Sequence, residues 1–172
     1  MIDANALRKI SYGIYVVASR KGDKFNGQIA NAVFQVTSDP VKVAVCINKQ
    51  NLTHEFIKES GVFSVSILSK EAPMSFIAGL GFRSGRDYDK FKGLNFKVGV
   101  TGAPVVIDYA IAYLEAKVVG SYDVGTHTLF VGEVVNAEVI KDEEPLTYAY
   151  YQEMKKGRIP PTAPSYVKRS SS

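Results

Sequence analysis

The stretch that begins at Gly27 reads Gly27-Gln28-Ile29-Ala30-Asn31-Ala32-Val33-Phe34-Gln35-Val36-Thr37-Ser38-Asp39-Pro40. An apolar run, 43–47, and a polar turn, 48–54, follow it. Apolar residues that alternate with small polar ones predict strands with one packed face. The polar turn stands where a helix is predicted to begin, and the first turn of a helix has free backbone N–H groups. The stretch therefore predicts strands that lead into an anion-binding turn.

The rest of the chain continues this pattern of strands. Periodicity and breakers predict strands over 10–19, 27–38, 41–48, 62–68, 112–119 and 128–140, with Gly132 at a bulge. Short helices are predicted over 51–60, 73–78 and 146–156. The irregular segment 79–93 is the best candidate for a functional loop. Many strands with few, short helices favour a mainly β fold, an antiparallel barrel that is closed or nearly closed.

Composition limits the classes of protein that fit. The 172 residues suffice for one domain with a core. No apolar run is long enough for a membrane helix, and the N-terminus lacks the pattern of a signal peptide, so we expect a cytoplasmic protein without a membrane partner. A single cysteine excludes an internal disulfide, and two histidines are too few for a usual zinc site, so no metal is expected.

The formal net charge of +4 lies at the C-terminal end. Basic and acidic residues cancel up to residue 150, whereas the remainder has five Lys or Arg against Glu153 alone. Such a tail could attract an acidic partner or a nucleotide phosphate, or it could be a solvated terminus. No aromatic ladder or nucleic-acid motif accompanies the charge, so no nucleic-acid partner is expected.

Familiar nucleotide and hydrolase motifs are missing from the sequence. The glycines at 79, 81 and 85 do not have the spacing of a dinucleotide-binding loop, and there is no Walker A sequence. No Gly-x-Ser-x-Gly elbow is present. A bound nucleotide would therefore have to be held in another way.

The turn 48–54 is the best candidate for an anion site. Lys49 supplies charge, Asn51 and Thr53 supply side-chain donors, and His54 stands at the start of the helix. Glu55 opposes an anion there. The alternative for this turn is an ordinary capped helix.

Four polar side chains, Gln28, Asn31, Gln35 and Thr37, lie in the predicted strand before this turn. Gln28 and Asn31 could bind the polar edge of a flat ring, with Gln35 and Thr37 nearer its chain or phosphate. A solvent-facing strand surface explains the same residues equally well.

Three motifs in order resemble those of the flavin reductase-like, FMN-binding split β-barrel family. Ala30, Asn31, Asp39 and Pro40 match its first motif, with Thr37 as a hydroxyl substitute and departures at Ile29 and Gln35. Residues 45–53 match its second motif, Val-Cys-Ile/Val-Asn-Arg/Lys-x-Ser-x-Thr. Its third is met by 125–127 and 132–134, with Thr126 in place of an acid. The resemblance is strongest to the subgroup of the archaeal ferric reductase and the flavin domain of flavin–rubredoxin fusion proteins.

The resemblance implies a homodimeric split β-barrel of Greek-key type, with a domain over 1–157 and a basic tail over 158–172 for which packing on the dimer is one option. Cys46 would lie beside the flavin, Phe82 and Arg83 would approach it, often across the dimer interface, and His127 would lie on the nicotinamide side. The implied FMN-binding residues are Gln28, Ile29, Ala30, Asn31, Gln35, Thr37, Cys46, Ile47, Asn48, Lys49, Asn51, Thr53, His54, Phe82 and Arg83.

The function implied by the resemblance is an FMN-dependent oxidoreductase. It would take hydride from NADH or NADPH and pass electrons to free flavin, a ferric complex or a small redox protein such as rubredoxin. Two alternatives remain open: a flavin electron carrier that does not oxidise NAD(P)H, and a flavin- or haem-binding module without turnover.

Overall fold

The computed structural model describes residues 1–153, 156 and 159–166 of the chain. Nine strands account for most of the regular structure: β1 (Tyr15–Lys21), β2 (Lys24–Ala30), β3 (Val33–Ser38), β4 (Val41–Asn48), β5 (Val62–Leu68), β6 (Phe96–Val98), β7 (Pro104–Val106), β8 (Ala110–Asp123) and β9 (His127–Val139). The helices are α1 (Ala4–Leu7), α2 (Leu52–Ser60), α3 (Met74–Gly81) and α4 (Tyr148–Glu153). The last helix is predicted over 146–156; Lys156 is not helical, and residues 154 and 155 lie outside the described residues.

Seven strands form one antiparallel sheet in the order β2-β1-β5-β8-β9-β4-β3, and β6 pairs with β7 separately. The two edge strands, β2 and β3, are neighbours in sequence and only residues 31 and 32 join them. So short a connection requires the two ends of the sheet to lie close together, and the sheet therefore curls into an open barrel. This confirms the predicted mainly β, split-barrel fold.

Two of the predicted strands differ from the structure in how they pair. The segment 27–38 is two strands, because β2 pairs with β1 whereas β3 pairs with β4, and Asn31 stands at the change of partner. The first strand begins at Tyr15 and not at Ile10, since the ladder with β2 starts at the Tyr15–Ala30 pair. Both errors concern pairing, which local composition does not specify.

The core has two parts, on the two faces of the curled sheet. The inner part fills the barrel around Phe63, Ile47 and Val45, and Ile57 of α2 packs into it. The outer part lies under α3 and α4 and includes Leu80, Phe91 and Tyr151. Because α2 and α3 cover different regions of the sheet, a cleft remains between them at the end of β2. No described helix has the length and apolar content to cross a membrane.

Candidate functional site

A cavity of about 340 Å³ opens where β2 ends, between the start of α2 and the end of α3. The C-terminal segment 159–164 forms another part of its wall. A volume of this size is within the range of small-molecule and cofactor sites. Its strand and helix residues are Asn26, Gln28, Ile29, Ala30, Cys46, Asn48, Leu52, Thr53, Ile77, Leu80, Gly81, Tyr148 and Tyr151. Its loop and turn residues are Ile14, Asn31, Gln50, Asn51, Phe82, Arg83, Ser84, Gly85, Lys90, Ile159, Pro160, Pro161, Thr162, Ala163 and Pro164.

Asn31 has the least satisfied polar side chain in this wall. It is only 6% exposed, and its Nδ2 donates to the Ser165 hydroxyl at 2.6 Å. Its Oδ1 is buried and has no hydrogen-bond partner. A buried acceptor without a donor is unfavourable, so this oxygen is suited to a ligand N–H that enters the cavity.

Lys90 brings a positive charge into the cavity wall. Its side chain is 8% exposed, and its Nζ donates to the backbone carbonyls of Gly27 and Leu80 at 3.0 and 2.9 Å. Burial lowers the pKa of Lys90 to about 8, because neither partner is charged. The ammonium group is therefore charged at neutral pH and is suited to an anionic ligand group.

The start of α2 supplies hydrogen-bonding groups, but not all of those expected. Thr53 is buried and its hydroxyl accepts from Asn26 at 2.8 Å, whereas Asn51 donates to Gln28 at 3.0 Å. Lys49 is expected from the sequence to supply charge to the anion site. In the structure its ammonium group instead pairs with Asp123 at 2.6 Å and does not line the cavity. The β8–β9 hairpin places that carboxylate near the turn, which the sequence did not reveal.

Four other expected contacts lie away from the cavity wall. Ile47 is fully buried in the inner core, because β4 alternates its side chains between the two faces. Gln35 and Thr37 are exposed on β3, where the Gln35 amide donates to the Thr37 carbonyl. The His54 imidazole binds the Thr128 hydroxyl at 2.7 Å and packs on the Phe130 ring.

His127 also lies outside the cavity wall, but it contacts Thr162, which belongs to the wall. Its Nε2 donates to the Thr162 carbonyl at 3.0 Å, so its Nδ1 accepts from the Thr126 hydroxyl at 2.7 Å. Burial lowers the pKa of His127, and the bond to Thr162 opposes this. His127 is therefore a neutral imidazole that holds the C-terminal segment.

The remaining expected residues are brought together in the wall, among them Cys46, Asn48, Phe82 and Arg83. Burial raises the pKa of the Cys46 thiol, which is therefore protonated at neutral pH. The Asn48 amide donates to the Thr162 carbonyl at 3.3 Å, and the Arg83 guanidinium lies over the Tyr88 ring.

Sequence reasoning missed Asn26, Lys90 and the C-terminal segment. Lys90 stands between Asp89 and Phe91 in a charged loop, where a lysine usually faces water. The segment 159–164 has three prolines, which indicate an ordered extended path, but its neighbouring charges suggested a solvated tail. Seven residues of the basic tail, 158 and 167–172, lie outside the described residues.

The cavity has the features of a binding site for a flat organic anion. It combines apolar wall residues such as Ile29 and Leu80 with one unpaired amide oxygen and one buried cation. Lys90 contacts the carbonyl of Gly27. Asn31 lies four residues after Gly27, which corresponds to roughly 13 Å along an extended strand. No carboxylate lines the cavity among the described residues.

Comparison with known proteins assigns the family. The sequence model described as "Flavin reductase like domain" matches residues 7–157. The chain is 56% identical to the ferric-chelate reductase (NAD(P)H) of Archaeoglobus fulgidus, over 96% of this chain and 98% of that protein. It is 50% identical to the high molecular weight rubredoxin of Moorella thermoacetica, over 96% of this chain and 72% of that protein.

A solved structure agrees with these relatives. The FMN-binding protein of Thermus thermophilus, crystallised with p-hydroxybenzaldehyde, superposes with a TM-score of 0.75 at 26% identity, covering 83% of each chain. The chain therefore belongs to the flavin reductase-like family.

Proposed function

We propose that this protein binds FMN non-covalently in the cavity at the end of β2 and acts as an NAD(P)H-dependent flavin or ferric reductase. One observation carries the proposal: a buried, unpaired amide oxygen on Asn31 and a buried ammonium group on Lys90 belong to the same cavity. FMN has a ring imide that donates an N–H and a phosphate at the end of its chain, which are the two groups complementary to this pair.

The residues of this chain would have distinct tasks toward FMN. Asn31 Oδ1 would accept from the ring imide, and Lys90 would neutralise the phosphate. Main-chain and side-chain groups of the other expected wall residues would line the ring and chain: Gln28, Ile29, Ala30, Cys46, Asn48, Asn51, Thr53, Phe82 and Arg83. When bound, FMN supplies the redox chemistry, namely the acceptance of hydride from a reduced nicotinamide and the release of electrons to an acceptor.

The relatives support both the electron donor and two acceptors. The relative from Archaeoglobus fulgidus is named a ferric-chelate reductase that uses NAD(P)H. The relative from Moorella thermoacetica is named a rubredoxin and is longer than this chain, which spans 72% of it. We therefore propose ferric chelates as one class of acceptor, and a rubredoxin-like redox partner as the second candidate. The cytoplasmic location expected from the sequence stays a prediction.

A homodimer is part of the proposal, supported by one apolar sheet face. Phe34 and Tyr122 are 52% and 59% exposed. The pairing of β3, β4, β9 and β8 places both side chains on the same outer face of the sheet as Leu129 and Val131. Cys46 belongs to this face and also lines the cavity. A second copy on this face would therefore cover the mouth of the cavity.

The test is anaerobic spectroscopy of purified protein reconstituted with FMN. We expect flavin absorbance to remain with the protein after gel filtration and to bleach on addition of NADH or NADPH. Ferric citrate or oxidised rubredoxin should then restore the absorbance. Retained flavin that neither nicotinamide bleaches would overturn the reductase and favour a carrier, and protein that retains no flavin would overturn FMN binding itself.

A further inference from the structure

Ser165 has one hydroxyl proton. The direction in which this proton points determines how the neighbouring side chains form hydrogen bonds. The Ser165 hydroxyl donates to the Tyr148 phenolic oxygen at 3.2 Å. Its own oxygen is thus free to accept, and it accepts from Asn31 Nδ2 at 2.6 Å. The donor side of the Asn31 amide therefore faces Ser165.

This direction decides what Asn31 presents to the cavity. With Nδ2 directed at Ser165, the buried Oδ1 is left without a partner. If Ser165 donated to Asn31 instead, Oδ1 would be the atom engaged and Nδ2 would remain for a ligand. Ser165 thus selects between an acceptor and a donor at one point of the wall.

We propose that Ser165 is a positioning residue that orients the Asn31 amide so that its oxygen accepts the imide N–H of the flavin. The inference rests on the proposed FMN site and deepens it, because it makes the C-terminal segment part of ligand selection. A flavin with a free imide N–H is favoured, and one whose imide nitrogen is blocked is disfavoured.

Tyr148 is the acceptor at the other end of this chain of hydrogen bonds. Its phenolic oxygen accepts from the Ser165 hydroxyl at 3.2 Å and from the amide of Gln152, on the same helix α4, at 3.1 Å. Burial raises the pKa of the Tyr148 phenol, so the phenol keeps its proton at neutral pH.

The C-terminal segment 159–164, which directly precedes Ser165, is also held by other hydrogen bonds. The Thr162 carbonyl accepts from the side chains of Asn48 and His127 at 3.3 and 3.0 Å. These two bonds do not involve Ser165. Ser165→Ala should therefore remove the orienting hydroxyl while the segment stays on the cavity.

The experiment compares the Kd of FMN with that of N3-methyl-FMN, which has no imide N–H, by fluorescence titration. We expect the wild-type protein to prefer FMN by at least about tenfold, since a site that hydrogen-bonds a ligand N–H rejects the analogue without it. Ser165→Ala should reduce this preference to within about threefold of unity. Ser165→Thr, which keeps the hydroxyl, should restore it, and Tyr148→Phe should weaken it.

Ser121→Ala is the matched control, since Ser121 is exposed on β8 and does not line the cavity, and it should keep the wild-type preference. Equal weakening of both ligands by Ser165→Ala would indicate a merely structural residue and overturn the inference. An unchanged preference in Ser165→Ala, or no preference in the wild-type protein, would also overturn it while FMN binding stands. Absence of FMN binding by the wild-type protein would instead overturn the proposed function.

Discussion

Lys90 allows a test of the anion end of the cavity by one substitution. Lys90→Met should weaken FMN binding by about 10- to 100-fold, because hydrogen bonds to charged groups contribute about 1.5–3 kcal/mol. Binding of riboflavin, which has no phosphate, should change much less. Isothermal titration of both ligands measures the difference, with exposed Lys92→Met as the matched control. Equal losses for the two ligands would show that Lys90 does not contact the phosphate.

The pKa of Lys90 also predicts how FMN affinity depends on pH. In the free protein the ammonium group loses its proton as the pH rises through about 8. A bound phosphate stabilises the protonated form, so binding becomes linked to proton uptake above that pH. FMN affinity should therefore change little between pH 7 and 7.5, where the phosphate is already mostly a dianion, and fall by up to about tenfold per pH unit above 8. A flat profile from pH 7 to 10, measured by fluorescence titration, would contradict this assignment.

At the scale of secondary-structure elements, Gly132 explains how β9 packs closely over the inner core. A Cβ at this position would lie 2.8 Å from the Phe63 ring and from the Ala116 Cβ. The bulge predicted at Gly132 is present at this point of the ladder, and its extra residue is on the facing strand, where the register shifts between Val118, the partner of Gly132, and Gly120. The absence of a side chain at Gly132 therefore permits close packing of β5, β8 and β9.

We expect Gly132→Ala to lower the free energy of unfolding by about 1–3 kcal/mol, since overpacking a filled core forces its neighbours to shift. Urea denaturation followed by circular dichroism measures the change. Gly79→Ala in α3 is the control, because a Cβ there meets nothing within 4 Å and alanine favours a helix. If both variants were as stable as the wild-type protein, the contact with Phe63 would not limit the packing.

Glu115 joins β8 to the loop before β7. Its buried carboxylate accepts from the backbone N–H and the hydroxyl of Thr101 and from the Asn136 amide. Burial alone would raise the pKa of Glu115, but these hydrogen bonds and one from the Val100 backbone hold it below its usual range. A lowered carboxyl pKa stabilises the folded state above the unfolded pKa of about 4.5, and this stabilisation is lost as the pH falls through the folded value.

Glu115→Gln should therefore have two effects. At pH 7 it should lower the free energy of unfolding by about 1–3 kcal/mol, because the side-chain NH2 group of glutamine replaces a carboxylate oxygen that accepts hydrogen bonds. Below pH 4.5 the stability of the variant should fall less steeply than that of the wild-type protein. Urea denaturation between pH 3 and pH 7 checks both effects, and parallel curves for the two proteins would exclude a lowered pKa.

The dimer is a prediction about the whole molecule. Phe34→Glu places a charge in the apolar face of β3 and should convert the protein from a species of twice the 18.8 kDa chain mass to a monomer. FMN binding should weaken with it, since the partner is proposed to cover the cavity mouth. Sedimentation velocity measures the mass, and Val100→Glu, at an exposed residue of the loop between β6 and β7, is the control. A wild-type protein that is monomeric at micromolar concentration would contradict the dimer.

Several features of this protein follow from the sequence alone. Alternating apolar residues predict β5, β8 and β9, and the polar turn predicts the start of α2. The ordered motifs predict the family and, with it, the cavity residues Asn31, Cys46 and Thr53. These features are local, because they depend on side-chain periodicity, turn residues and short spacing.

Only the tertiary structure decided the rest. It pairs Lys49 with Asp123, 74 residues away, and buries Lys90 under carbonyls of two different elements. It also brings Ser165 onto Asn31 across 134 residues and splits 27–38 between two strand partners. The physical reason is that burial, charge pairing and strand pairing depend on which distant segments meet when the sheet curls, and no local pattern in the chain encodes those meetings.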